Sequence, residues 1–311
     1  MKAIIHIGTP KSGTTTLQSF LALNRTALTA QGIRYEPFDP SNVAQMELGL
    51  AGINRSGGTL TTPNKLHAMQ VGDRDSQTAY VNRFEAMLRD GVARWPEHTY
   101  LASSEQIHAW LSGRARIKAL DTFLRGIFDE VRYVVYYRPQ EEFMVSTYSE
   151  RIRRGEMITF EDHFAERLDR MDFFGKASLW SEIVGPENLT VRLLDRGVMK
   201  NGDLLDDFCA VTGVDRAPLQ TPPRMNVSLS AEEMELYLKL GKRISARLKS
   251  GAPNPIFFGL LGLLKRRLPK PGNRIQMTEA QRAEIRAHNA AGNERLRLAH
   301  FPDRETLFST S

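Results

Sequence analysis

Three groups of residues have types and spacings suited to handling an anion. The first lies in HIGTPKSGTTTLQSF, residues 6–20, where Gly8 and Gly13 frame a turn, Lys11 stands inside it, and Thr14, Thr15 and Thr16 follow. The apolar run KAIIHI precedes the turn, and Leu17, Phe20, Leu21 and Leu28 recur after it near one helical face. A strand that passes through a glycine-rich turn into a helix is an anion site, because the turn presents backbone N–H groups and the helix dipole adds positive potential. Gly13 lets the backbone approach a ligand closely, the threonines offer hydroxyl donors, and Lys11 adds a point charge. The plainer alternative is a strand–helix turn with no ligand.

The second group is Arg138, which ends the apolar run VRYVVYY (131–137), with Ser146 eight residues later. Arginine presents a rigid fork that fits a phosphate in bidentate fashion. The alternative is a surface arginine paired with Glu141 or Glu142. The third group is Glu105 and His108, just after the TYLAS run, as candidates to take a proton. Their ordinary roles would be a first-turn carboxylate favoured by the helix dipole and a helix-surface imidazole.

A nucleotide triphosphatase loop reads G-x-x-x-x-G-K-[ST]. Here Thr14 occupies the lysine position, and the lysine sits three positions earlier, at Lys11. Such enzymes also hold magnesium with the hydroxyl after that lysine and with an aspartate on a second strand. In this chain the second strong strand ends at Arg138, whose charge repels magnesium. The expected ligand is therefore a phosphate handled by protein donors alone. A P-loop kinase or nucleotidase using ATP and magnesium is the alternative.

These residues need a scaffold. Strands expected at 2–7, 99–105 (running into a helix start), 131–137 and 189–194 alternate with helices at 14–29, 78–94, 116–128, 140–154, 159–169 and 172–184, and another follows near 202–213. That alternation predicts an α/β fold: a P-loop-like parallel sheet flanked by helices. From about residue 230 the chain reads as helical C-terminal additions, opened by a capping box of Ser230 and Glu233 and closed by a helix over 278–298. Residues 37–77, rich in Gly, Ser, Thr, Asn and Pro, read as a long irregular excursion. No clean linker is visible. The expectation is a single domain over 1–311, with 37–77 and 250–275 shaping the acceptor side or a lid.

The chain has 311 residues, 41% of them hydrophobic, with a net charge of +6 and a pI near 9.5. That balance favours anionic ligands or surfaces. No zinc finger, recognition helix or aromatic-interleaved basic strand supports nucleic-acid binding. Cys209, the single cysteine, forms no internal disulfide and no zinc cluster. The start, MKAIIHIG, is too short for a signal-peptide core, and no apolar run approaches the ~20 residues that cross a bilayer. A cytoplasmic location is expected. One segment, NPIFFGLLGLLKRRLPKPGNR (254–274), runs from apolar residues into Lys265, Arg266, Arg267 and Lys270. Over 256–270 it could lie on an anionic membrane face with Phe257 among the anchoring side chains. It could equally be a core helix with a solvated basic end, or its KPGNR loop could close over a cofactor.

TPKSGTTTL resembles the 5′-phosphosulfate loop of sulfotransferases that use 3′-phosphoadenosine 5′-phosphosulfate. YYRPQEEFMVSTY resembles their 3′-phosphate motif, an arginine followed eight positions later by a serine. SSEQ (103–106), GPENLTVRLLD (185–195) and NVSLS (226–230) are similar to bacterial members of the superfamily. The resemblance implies that Lys11 contacts the bridging oxygen of the donor. It implies that Ser12, Gly13, Thr14, Thr15 and Thr16 cradle the 5′-phosphate, and that Arg138 and Ser146 hold the 3′-phosphate. It implies a Glu or His base, here Glu105 or His108, and no metal. The acceptor would be a hydroxyl or amine of a carbohydrate, lipid or small molecule.

Overall fold

The protein is described from a computed structural model, over residues 1–39, 44–223, 229–248, 252–269, 272–273 and 275–309. The chain divides into two compact units. The first comprises Met1–Arg138, Phe173–Met225 and Leu296–Ser311; the second comprises Pro139–Asp172 and Asn226–Arg295.

The first unit is organised by strands β1 (Lys2–Ile7), β2 (Ile33–Arg34), β3 (Thr99–Ser104), β4 (Glu130–Tyr137) and β5 (Leu189–Leu193). They form one parallel sheet in the order β2-β3-β1-β4-β5. Near-continuous apolar strands are what a parallel sheet covered on both faces requires. Alternate residues confirm that both faces are dry. Ala3, Ile5 and Ile7 join Tyr133, Val135 and Val191 in one core, while Ile4 joins Leu101, Val134 and Tyr136 in another.

Helices α1 (Thr14–Leu23) and α2 (Arg25–Thr29) pack on the second of these faces. The single helix expected over 14–29 is broken at Asn24, whose side-chain amide donates to the Phe20 carbonyl at 2.8 Å and to the Gln220 carbonyl at 2.9 Å. The excursion expected over 37–77 is largely helical: α3 (Met46–Arg55), α4 (Pro63–Met69) and the start of α5 (Arg74–Arg94) lie in it. Every residue of α3 from Met46 to Asn54 is buried. The glycines that suggested a loop serve packing instead. A Cβ on Gly49 would come within 2.8 Å of Gln106, and one on Gly52 within 2.7 Å of Leu111. α6 (Glu105–Trp110) and α7 (Arg114–Arg125) complete the chain up to β4.

α8 (Gln140–Arg153) and α9 (Phe160–Arg167) belong to the second unit, and α10 (Phe173–Val184) and α11 (Leu204–Thr212) to the first. The second unit resumes with α12 (Ala231–Gly241) and α13 (Pro255–Lys265), and α14 (Glu279–His300) follows. The expected capping box is present: the Glu233 N–H donates to Ser230 Oγ at 3.1 Å, and the Ser230 N–H to Glu233 Oε2 at 3.0 Å. Tyr148 and Ile152 of α8, Met234 and Tyr237 of α12, and Phe257 and Leu261 of α13 share one core. Phe257, expected to anchor a membrane contact, is therefore a core residue. The helix is apolar almost all round, so its sequence does not select the face that packs inward. Residues 226–228 of NVSLS, and Lys270, Pro271 and Arg274 of the basic loop, lie outside the described residues.

Candidate functional site

Strand register brings the candidate residues level. Ile7 pairs with Ser104 on one side and Val135 on the other. The turn after β1, Glu105 after β3, and Arg138 after β4 thus emerge at the same sheet edge, the carboxyl edge where open parallel sheets bind ligands. The Gly8 N–H donates to the Ser104 carbonyl at 3.0 Å. A Cβ on Gly8 would lie 2.6 Å from Thr14 and 2.9 Å from Glu105 Cα. Only glycine lets the start of α6 come this close to the turn.

The turn itself is wired from within. The Thr9 hydroxyl donates to the Tyr136 carbonyl, tying the turn to β4, and lies 2.7 Å from the Ser12 hydroxyl. Ser12 Oγ donates to the Thr9 carbonyl at 2.8 Å, and Thr14 Oγ1 reaches the same carbonyl at 3.2 Å. Ser12 and Thr14 are buried, Thr15 is exposed and Thr16 half-buried. Two of the hydroxyls expected to cradle a phosphate thus brace the turn. Thr15 and Thr16 are the less buried hydroxyls of the turn. Lys11 has φ 62° and Gly13 φ 83°. Left-handed backbone at a non-glycine residue is uncommon and collects at functional sites. α1 has no side-chain N-cap bond and no acid in its own first turn, so the helix itself supplies nothing to offset its positive end.

Arg138 Nη1 donates to the Lys11 carbonyl at 3.1 Å. The structure therefore joins two groups 127 residues apart in sequence. This contact also fixes Lys11 in its left-handed turn. Glu141, one of the acids considered as an Arg138 partner, is held by Arg282 at 2.9 Å and by Arg286 at 2.7 Å. Ser146 sits on α8 in the second unit, where its buried Oγ has no hydrogen-bond partner.

Glu105 opens α6, and His108 lies one turn further on. Burial, with Lys176 adding to it, pushes the His108 imidazole down to about 3. An imidazole with so little affinity for a proton is a poor general base near neutrality. His6, on β1 just before the turn, is fully buried, and burial pushes it to about 3 as well. Its Nδ1 lies 2.8 Å from Ser103 Oγ, and its Nε2 has no partner.

Three residues escaped the sequence reading. Thr9 carried no signal beyond its place in the turn. Gln45 is fully buried in left-handed backbone with φ 43°. Its side chain accepts the Ser103 N–H at 2.7 Å and donates to the Glu36 carbonyl at 3.2 Å. It thereby occupies the side of β3 that two-residue β2 is too short to cover. Glu47, next but one, is buried with one oxygen accepting the Phe38 N–H at 3.3 Å and the other without a partner. Burial raises its carboxyl to about 7. The spacing of Gly49 and Gly52 was the available sign that this stretch is a packed helix.

The chain matches no protein-family model, and no curated protein matches it in sequence. Among solved structures it is similar to a sulfotransferase from Alicyclobacillus acidocaldarius, with a TM-score of 0.50 and 13% sequence identity over 95% of this chain and 94% of that one. At that identity the likeness is one of fold, and it extends over nearly the whole of both chains.

Proposed function

We propose that the protein is a sulfotransferase that moves a sulfuryl group from 3′-phosphoadenosine 5′-phosphosulfate to a hydroxyl or amine of a carbohydrate, lipid or small-molecule acceptor. The observation that carries this reading is the Arg138–Lys11 contact, 3.1 Å long, at the carboxyl edge of the sheet. It sets a guanidinium beside the turn where a magnesium-dependent enzyme would place an acid. The fold shared with a sulfotransferase and the two sequence motifs support the same reading.

The donor's groups fit the residues present. The first turn of α1 offers N–H groups to the 5′-phosphate, with Thr15 and Thr16 beside them. Lys11 is assigned to the oxygen that bridges phosphorus and sulfur. Arg138 is assigned to the 3′-phosphate; the assignment of Ser146 rests on the sequence motif alone. In the reaction the acceptor oxygen or nitrogen attacks sulfur, and the bond from sulfur to the bridging oxygen breaks in line. The acceptor's proton passes to Glu105, and Lys11 stabilises the charge gathering on the leaving phosphate.

Calorimetry tests this directly. 3′-Phosphoadenosine 5′-phosphate should bind in the micromolar range or tighter without magnesium, and Arg138→Ala should weaken it roughly tenfold or more. Equal affinity for adenosine 5′-phosphate would remove the 3′-phosphate role. Tight, magnesium-dependent ATP binding in its place would favour the kinase or nucleotidase alternative.

A further inference from the structure

The positive charge of this chain is concentrated in one stretch. The whole sequence has 42 Lys and Arg against 36 Asp and Glu. Ten of the 42 and none of the 36 fall within residues 236–278, so the remainder carries 32 against 36 and is net −4. The net charge of +6 is therefore owed to this segment. In its middle lies α13, which turns Phe257 and Leu261 into the core of the second unit. On its other side Ile256, Leu260 and Leu263 are 65%, 39% and 55% exposed. Their spacing places them on one stripe of the helix.

The same chemistry brackets the stripe. Leu248, 46% exposed, lies shortly before α13, and its N–H donates to the Ala252 carbonyl at 2.9 Å. At the other end Lys265 is held by Glu233 at 2.7 Å, whereas Arg266 and Arg267 are exposed and in no ion pair among the described residues. Aliphatic side chains and unneutralised cations thus share one exposed surface.

We infer that this face of α13 docks the protein on an anionic lipid surface, its aliphatic stripe entering the headgroup boundary and its cations lying among the phosphates. Eleven residues of helix span about 16 Å, well under the bilayer's ~30 Å hydrocarbon core, so the helix lies on the surface and does not cross it. Two other occupants fit less well. A second copy meeting this face by two-fold symmetry would set the same acid-free segment against itself, cation against cation. A soluble polyanion would use the arginines and leave Ile256, Leu260 and Leu263 in water.

The test is co-sedimentation of the full chain with vesicles of phosphatidylcholine containing phosphatidylglycerol, beside vesicles of phosphatidylcholine alone. Binding is expected to the mixed vesicles only, and to fall steeply with salt. Both Leu260→Glu with Leu263→Glu and Arg266→Glu with Arg267→Glu should weaken it by about tenfold or more. All four positions are exposed, so melting temperature should hold, and circular dichroism checks this. Absence of binding at low salt would overturn the inference. So would unaltered vesicle binding by the Leu260→Glu, Leu263→Glu variant, which would assign the cations to a soluble polyanion. Self-association that this variant abolishes, in a protein that ignores vesicles, would assign the face to a second copy. The readout needs no nucleotide, so it fails or succeeds independently of the transferase reading.

Discussion

The turn after β1 and the segment 236–278 are both cationic, yet they are built in opposite ways. In the turn the polar groups are bound to the protein itself: Ser12 and Thr14 to the Thr9 carbonyl, Thr9 to β4, and Arg138 to Lys11. Around α13, Arg266 and Arg267 are in no ion pair among the described residues, and the aliphatic stripe is exposed. Preorganised donors recognise one small anion with fixed geometry, because the cost of ordering them was met on folding. Dispersed cations beside apolar side chains suit a broad, fluid anionic surface. Positive charge alone therefore says little about a partner. How far the protein has already immobilised that charge says more.

The largest effect expected from any change should appear at the sheet edge and leave the α13 face untouched. Glu105→Gln should keep binding of 3′-phosphoadenosine 5′-phosphate and reduce sulfuryl transfer by about 10²–10⁴. His108→Gln should change transfer little. Burial holds His108 near 3, so it is already neutral above about pH 4 and cannot supply a limb near pH 6.5 in the rate profile. The acid limb should belong to a carboxylate and survive His108→Gln. A limb near 6.5 that vanishes in that variant would transfer the base role from Glu105 to His108. Neither variant should alter vesicle binding; a change there would dissolve the contrast between the regions.

Both regions were legible in sequence to different depths, for local reasons. β1, the turn and α1 were readable because an apolar run, two glycines and a lysine fall within a few consecutive residues. Arg138 was readable as the end of an apolar strand. The wiring between them was not, since Thr9 to Tyr136 and Arg138 to Lys11 each span 127 residues. Gln45 shows the limit most plainly. It replaces a missing strand neighbour for Ser103, a role set by how short β2 is and by nothing near residue 45. At α13 the limit was rotational, because a helix apolar on every side does not reveal that Phe257 faces in and Ile256 out.

A second effect concerns the support beneath the turn. His6 is fully buried, and burial lowers its imidazole to about 3 from an ordinary 6.5. Between those values the unfolded chain binds a proton that the folded one excludes. Stability then rises with pH through this window and is lost as pH falls below 6.5. At pH 4 the loss owed to this group is on the order of 3 kcal/mol. His6→Gln should flatten that part of the curve, measured by urea unfolding at pH 7 and pH 4. An unchanged slope would mean that His6 takes up its proton in the folded state.

The smallest expected effect isolates backbone geometry from charge. Gly13 has φ 83°, and a Cβ there would run into the Leu204 side chain on α11. Gly13→Ala adds no charge and removes none, yet it strains the entry to α1. The cost should be roughly 1–3 kcal/mol of stability. Binding of 3′-phosphoadenosine 5′-phosphate should weaken with it, because the N–H groups of the first helical turn would shift against their ligand. A surface that works by dispersed charge has no comparable dependence on a single φ angle, so vesicle binding should stay at the parent level. If Gly13→Ala binds the nucleotide as the parent does, the turn is less preorganised than its hydrogen bonds imply. Its selectivity would then have to rest on the charges of Lys11 and Arg138.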